Sequence, residues 1–243
     1  MDTAHALPDG AVDAGPFGDW LSKLGAALLG TSGMDVPCGD CTGCCTSGYS
    51  IQLRRSDTAA RALVPAGLAV AAPGFAPGDL TVPARDDGTC PMLQGGRCSI
   101  YAHRPQTCLD YDCRIFAAAG IDAGGVDKAS INRRVRAWQF SYEDEAARRR
   151  HRAIRDAALF IRERTEVFTA LGVRAPTGAM GIAVFAIKSH AALLDPATPT
   201  DATGRARAML AASRAFDAAQ GPGCAGGGPP GAEPPPASAR ISR

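Results

Sequence analysis

Apolar residues keep a helical rhythm in the second half of the chain and lose it in the first. From Ala147 through Ile154, Ala158, Ile161 and Phe168 to Leu171 they recur three or four residues apart, the spacing that lines one face of an α-helix. Ser141, with Asp144 three residues on, forms an N-terminal capping signal, and Gly172 supplies the stop. The same pattern predicts a second helix over Gly178 to Leu194, ended by Asp195-Pro196, and a third from about Thr203 to Ala219. Near the N-terminus, Trp20, Leu21, Leu24, Ala27 and Leu28 predict a short helix from Gly18 to Leu29. The stretch from Asp127 to Phe140 fits helix and strand equally well.

Between these regions the order breaks down. From Val36 to Ala119 the chain is rich in breakers, including Pro37, Pro65, Pro73, Pro77, Pro83 and Pro105. Tyr49 to Leu53 alternates in strand fashion, and Asp57 is placed to cap a short helix through Leu63. A loop-rich segment with so few large apolar residues has little core of its own and needs another staple. The order of segments is therefore read as 1–35, an N-terminal piece whose helix packs across the next region; 36–119, a cysteine-rich domain; 120–220, a helical region; and 221–243, a Gly/Pro-rich tail expected to be disordered. The fold class expected is α+β or mostly α, with a loop-rich, metal-stapled cysteine subdomain packed against C-terminal helices.

Composition narrows the setting. Hydrophobic residues make up 46% of the 243, enough for a real core, and the formal net charge of +2 gives no general pull toward nucleic acid or membrane. Met1 to Pro16 carries Asp2, Asp9 and Asp13 and no Lys or Arg, unlike a secretory leader. No stretch reaches the roughly 18 apolar residues of a membrane span. The expected setting is the cytoplasm, with no membrane partner.

That setting governs how nine cysteines are read, because dense cysteine patterns in a reducing compartment favour metal over disulfides. Eight of them fall in two groups. Cys38, Cys41, Cys44 and Cys45 form C-x2-C-x2-C-C; Cys90, Cys98, Cys108 and Cys113 follow with gaps of seven, nine and four residues. Two intervening residues let a tight turn aim two thiolates at one ion. Adjacent cysteines do this poorly, which places Cys45 at a different site or a different iron from Cys44. All eight are candidate metal ligands. A four-cysteine set is the common solution for structural Zn2+. The run Cys38, Cys41, Cys44 also reproduces the bacterial ferredoxin spacing, and Cys90 precedes Pro91 as the fourth ferredoxin cysteine does. Zinc and an iron–sulfur cluster both remain open on spacing, and the ferredoxin-like run inclines toward iron–sulfur. Cys224, alone in the tail, is read as an incidental thiol.

These residues resemble the YkgJ-type cysteine-cluster family of zinc- or iron-chelating domains. The resemblance rests on C-x2-C-x2-C-C, on Asp87-Gly88-Thr89-Cys90-Pro91-Met92-Leu93, and on Arg97-Cys98-Ser99-Ile100-Tyr101 with Arg104-Pro105-Gln106-Thr107-Cys108, and spans about a third of the chain. It implies a bacterial, loop-rich metal module without a settled reaction. A related branch, the flagellin lysine N-methylases, implies an iron–sulfur-dependent enzyme using S-adenosylmethionine, but no methyl-donor motif is recognisable here. Within the matching string, Arg104 either offsets thiolate charge or caps carbonyls, and Tyr101 either donates to sulfur or fills the small core. Asp110 and Asp112 are expected to orient amides or pair with Arg114. His103 is expected to face solvent.

A last candidate is the basic stretch of Arg133, Arg134 and Arg136 with Arg148 to Arg150, His151, Arg152 and Arg155, which raises the alternative of a metal-stapled interaction or nucleic-acid-binding module. Glu143, Asp144 and Glu145 interrupt it and aromatics are sparse, so a solvated helix face with ion pairs is the favoured reading and nucleic acid is not the expected partner. No hydrolase triad, phosphate loop or zinc-protease motif occurs.

Overall fold

The computed structural model describes residues 10–219 apart from 31, 35, 37 and 73; the tail with Cys224 lies outside the described residues. In chain order the elements are β1 (Val12–Pro16), α1 (Phe17–Leu28), β2 (Ile51–Leu53), α2 (Thr58–Leu63), β3 (Val70–Ala71), β4 (Leu80–Val82), β5 (Leu93–Gln94), β6 (Arg97–Cys98), α3 (Gln106–Asp110), α4 (Arg114–Ala119), α5 (Ala129–Ala137), β7 (Trp138–Ser141), α6 (Glu145–Glu163), α7 (Thr165–Ala170), α8 (Ala179–Ser189), α9 (Ala191–Leu194) and α10 (Ala202–Ala218). The architecture is thus mainly helical with small sheets, the α+β or mostly α class expected. No helix among the described residues is long and apolar enough to cross a membrane.

Two apolar clusters organise the described residues. The larger is built on α6, whose Ala147, His151, Ile154, Ala158 and Ile161 line one buried face. Against it pack Ile115, Phe116 and Ala118 of α4, Ala183, Ala186 and Ile187 of α8, Met209 of α10, and Phe17 and Trp20 of α1. The smaller gathers Leu53, Ala60, Val64, Val82, Met92 and Ile100 under the three-stranded sheet β2-β4-β3 and the β5–β6 hairpin. Gly95 and Gly96 turn that hairpin with φ of 53° and 75°, the left-handed pair that a two-residue hairpin loop demands.

The helical periodicity locates the main helices correctly but misses their joints. Asp144, rather than Ser141, caps α6, its Oδ1 accepting from Ala147 N–H at 2.6 Å. Ser141 is instead the last residue of β7, paired in parallel with β1. The helix expected to run on to Leu171 breaks at Arg164, where φ is −128°. That bend swings Phe168 edge-on between Phe160 and Phe185, with centroids 5.9 and 5.7 Å away. The helix expected over Gly178 to Leu194 divides at His190. The ambiguous stretch before Phe140 is both things in turn: helix α5, then strand β7.

Strand β1 is the element the sequence concealed. It pairs Val12 with Trp138 and Pro16 with Ser141, with an irregularity between Asp13 and Gly15. The pairing fixes the end of α5 and the indole of Trp138 beside the cysteines.

Candidate metal centre

The first four cysteines lie on a coiled turn folded onto α5. Cys41 N–H donates to the Cys38 carbonyl at 2.9 Å, and Gly43 N–H donates toward Cys41 Sγ at 3.5 Å. A 3-10 turn, Cys44–Thr46, then carries the adjacent pair. Ser47 Oγ closes it by donating to the Gly43 carbonyl at 2.6 Å, and Lys128 Nζ donates to the Ser47 carbonyl. Gly43 is required by the packing: a Cβ there would lie 3.2 Å from Ile131 Cα and 3.5 Å from Cys41 Sγ. Sequence reading passed over this glycine because the helix it touches lies far along the chain.

The second four arrive on separate supports. Cys90 N–H donates to the Cys45 carbonyl at 2.7 Å, and Gly48 N–H to the Gly88 carbonyl at 2.8 Å, so the two cysteine loops are stitched together through their backbones. An Asp87 turn holds Thr89 by Oδ1 contacts of 2.8 and 2.6 Å, and Arg85 grips the Cys90 and Pro91 carbonyls. Cys98 is paired with Leu93 across the hairpin. Cys108 sits on α3, whose first N–H, Gln106, donates to Asp57 Oδ1 at 2.9 Å. Cys113 precedes α4, and Trp138 Nε1–H donates to its Sγ at 3.1 Å.

All eight thiols are half-buried and unpaired by disulfides. They face one another closely enough to disfavour each other's charge. Burial, then Cys44, raises Cys38; burial, then Cys44, Cys90 and Cys98, raises Cys108. A hydrogen bond with Cys45, reinforced by burial, raises Cys44 far above an ordinary thiol. Burial pushes Cys113 up to about 12 against the Trp138 N–H, and it also raises Cys90. Cys44 is the common neighbour in these couplings, raising Cys38, Cys90, Cys108 and Cys113 alike. Among the described residues no three Cys, His, Asp or Glu side chains form a ready metal site as they stand. The donor set fits a soft cation, since a metal replaces the thiol protons and cancels the mutual repulsion that burial amplifies.

The neighbouring polar residues sort themselves as follows. Arg104 lies 3.8 Å over the Tyr101 ring and its charge favours the thiolates of Cys38 and Cys108; Tyr101 serves as its platform and is 40% exposed. Asp112 pairs with Arg114 at 2.8 Å and accepts from Trp20 Nε1 at 2.8 Å, which ties α1 to the cysteine segment. Asp110 accepts from the Gln106 side-chain amide at 2.6 Å, as expected, and pairs with Arg54 at 3.1 Å rather than with Arg114. His103 is exposed. In the basic stretch, Arg148 and Arg152 pair with Glu145 and Arg136 with Asp122, Arg134 covers Trp138, and His151 is buried among aromatic rings.

An apolar cavity of about 120 Å³ lies at the heart of the site, bordered by Cys38, Cys41, Cys44, Cys108, Cys113 and the pair Tyr49–Tyr111, whose hydroxyls meet at 3.2 Å. No curated protein and no solved structure matches the chain. Residues 37–122, which hold all eight of these cysteines, match the family model CxxCxxCC, described as "Putative zinc- or iron-chelating domain".

Proposed function

We propose that the chain is a metal-thiolate protein whose ligands are Cys38, Cys41, Cys44, Cys45, Cys90, Cys98, Cys108 and Cys113, and that its physiological load is iron–sulfur. The reading is carried by one observation: eight half-buried thiols from separate loops, a hairpin and a helix lie in one segment, and Cys44 couples to Cys38, Cys45, Cys90, Cys108 and Cys113. Cys38, Cys44 and Cys113 pack against the larger apolar cluster and Cys90 and Cys98 against the smaller, and the adjacent Cys44 and Cys45 are assigned to different sites. When bound, an iron–sulfur group supplies one-electron chemistry and a zinc ion supplies only cross-linking. This chain's own part is to orient and shield the sulfurs. Gly43 N–H and Trp138 Nε1–H donate to them, Arg104 and Arg134 offset their charge, and an apolar cavity adjoins them. N–H donors to sulfur are among the levers that tune such clusters, and together with the C-x2-C-x2-C run they favour iron.

The test is metal and acid-labile sulfide content, with a visible spectrum, on protein purified without oxygen. Iron with sulfide and absorption at roughly 400 nm supports the reading; zinc without sulfide reduces the centre to a staple. In Cys41→Ser, metal content is expected to fall and the thermal transition of the cysteine segment to drop. Full metal content and an unchanged melting curve would sink the ligand assignment.

A further inference from the structure

A second concavity lies outside the cysteines, on the surface between their first loop and α5. It is an open concavity of about 590 Å³ lined by Cys38, Asp40, Cys41, Ser130, Arg133 and Arg134 among others. Cys38, Cys41 and Arg134 also border the inner apolar cavity. These three side chains therefore form the wall between the surface cleft and the interior of the metal centre.

The chemistry of the cleft is one-sided. Arg133 is exposed and reaches Ser130 Oγ from Nη2 at 3.3 Å, which leaves its other donors to solvent. The Arg134 guanidinium lies 4.5 Å over the Trp138 ring, and its Nε is buried with no hydrogen-bond partner. The acidic member, Asp40, is 96% exposed and stands within 3.8 Å of Arg97, so it does little to neutralise the arginines. Arg133, Arg134 and Ser130 all line the cleft, and guanidinium groups and a hydroxyl are the donors that oxyanions take. An occupant held there lies against the Cys38–Cys41 edge of the centre.

We infer that this cleft is a binding site for a small molecule bearing a carboxylate or phosphate group, which Arg133, Arg134 and Ser130 hold against the exposed edge of the metal centre. The inference rests on the metal-thiolate reading for what the molecule meets there, but not for the oxyanion donors themselves. It turns a chelating domain into one with a substrate or effector site, and Arg134 links the two through Trp138 and Cys113.

The experiment is calorimetric titration of the full, metal-loaded chain with phenyl phosphate and, separately, with benzoate, alongside the combined emission of Trp20 and Trp138. One of the two is expected to bind saturably and to shift that emission; the tighter of the pair assigns the anion. Arg133→Glu, a surface change that leaves the fold intact, is expected to weaken binding at least tenfold with metal content unchanged. Arg134→Lys, which keeps the charge but loses the planar fork, is expected to weaken it severalfold. Saturable binding of neither probe, or equal binding by Arg133→Glu, overturns the site. Metal content is read on every sample, so a loaded protein that ignores both anions refutes the cleft alone, whereas a chain that never loads refutes the chelation reading.

Discussion

Gly43 lies where the first cysteine loop presses on α5, with helical φ of −51°, so its value is the missing side chain rather than backbone freedom. Gly43→Ala is expected to lift the loop from Ile131, costing about 1–3 kcal/mol by overpacking and lowering metal retention under chelator challenge. A urea midpoint equal to that of the native chain would show that the loop adjusts freely. Trp138 is the matching case among hydrogen-bond donors, since its Nε1–H is aimed at Cys113 from a strand 25 positions away. Neither residue was legible as part of the site. The cysteines were, because turn geometry ties ligand chemistry to local spacing. The groups that press or hydrogen-bond them come from distant segments, and spacing carries nothing about such contacts.

The helical elements were readable to the extent that burial is one-sided. The face of α6 is nearly complete in the sequence, and so is the stop at Gly172, where φ is 73°. Strand β1 was not readable: Val12–Pro16 contains Gly15 and Pro16 and alternates poorly, and its register comes entirely from β7. At the junction of α1 and α6, His151 stacks on Phe17 with centroids 4.5 Å apart and shares a 2.7 Å hydrogen bond with the Tyr142 hydroxyl. Burial, reinforced by the charge of Arg155, lowers its pKa to about 4. The unfolded chain therefore takes up this proton first as acid is added. The contribution is complete above pH ~6.5 and is lost as pH falls toward the folded value. Between pH 7 and 5 the native chain is expected to lose about 1–2 kcal/mol from this residue, and His151→Leu to flatten that part of the profile. Parallel profiles for the two proteins in urea titrations would remove His151 from the account.

At the scale of the molecule, the two apolar clusters are unequal. The helical one contains the large buried side chains Phe17, Phe116, Phe168, Ile154 and Ile161, whereas the smaller rests on a few residues around Leu53 and Val82. Stripping metal is therefore expected to loosen residues 51–100 first and leave α6 and α8 standing. Hydrogen exchange read segment by segment checks this, and uniform loss of protection across both halves would contradict it. Because β1 pairs with β7, the chain from Val12 to Trp138 forms one closed loop that contains all eight thiols. During synthesis, every one of these cysteines emerges before the strand that closes the loop exists. Loading thus has an early window, with the thiols accessible and the clasp still absent. In the finished protein the same half-buried thiols lie inside a join made across more than half the chain.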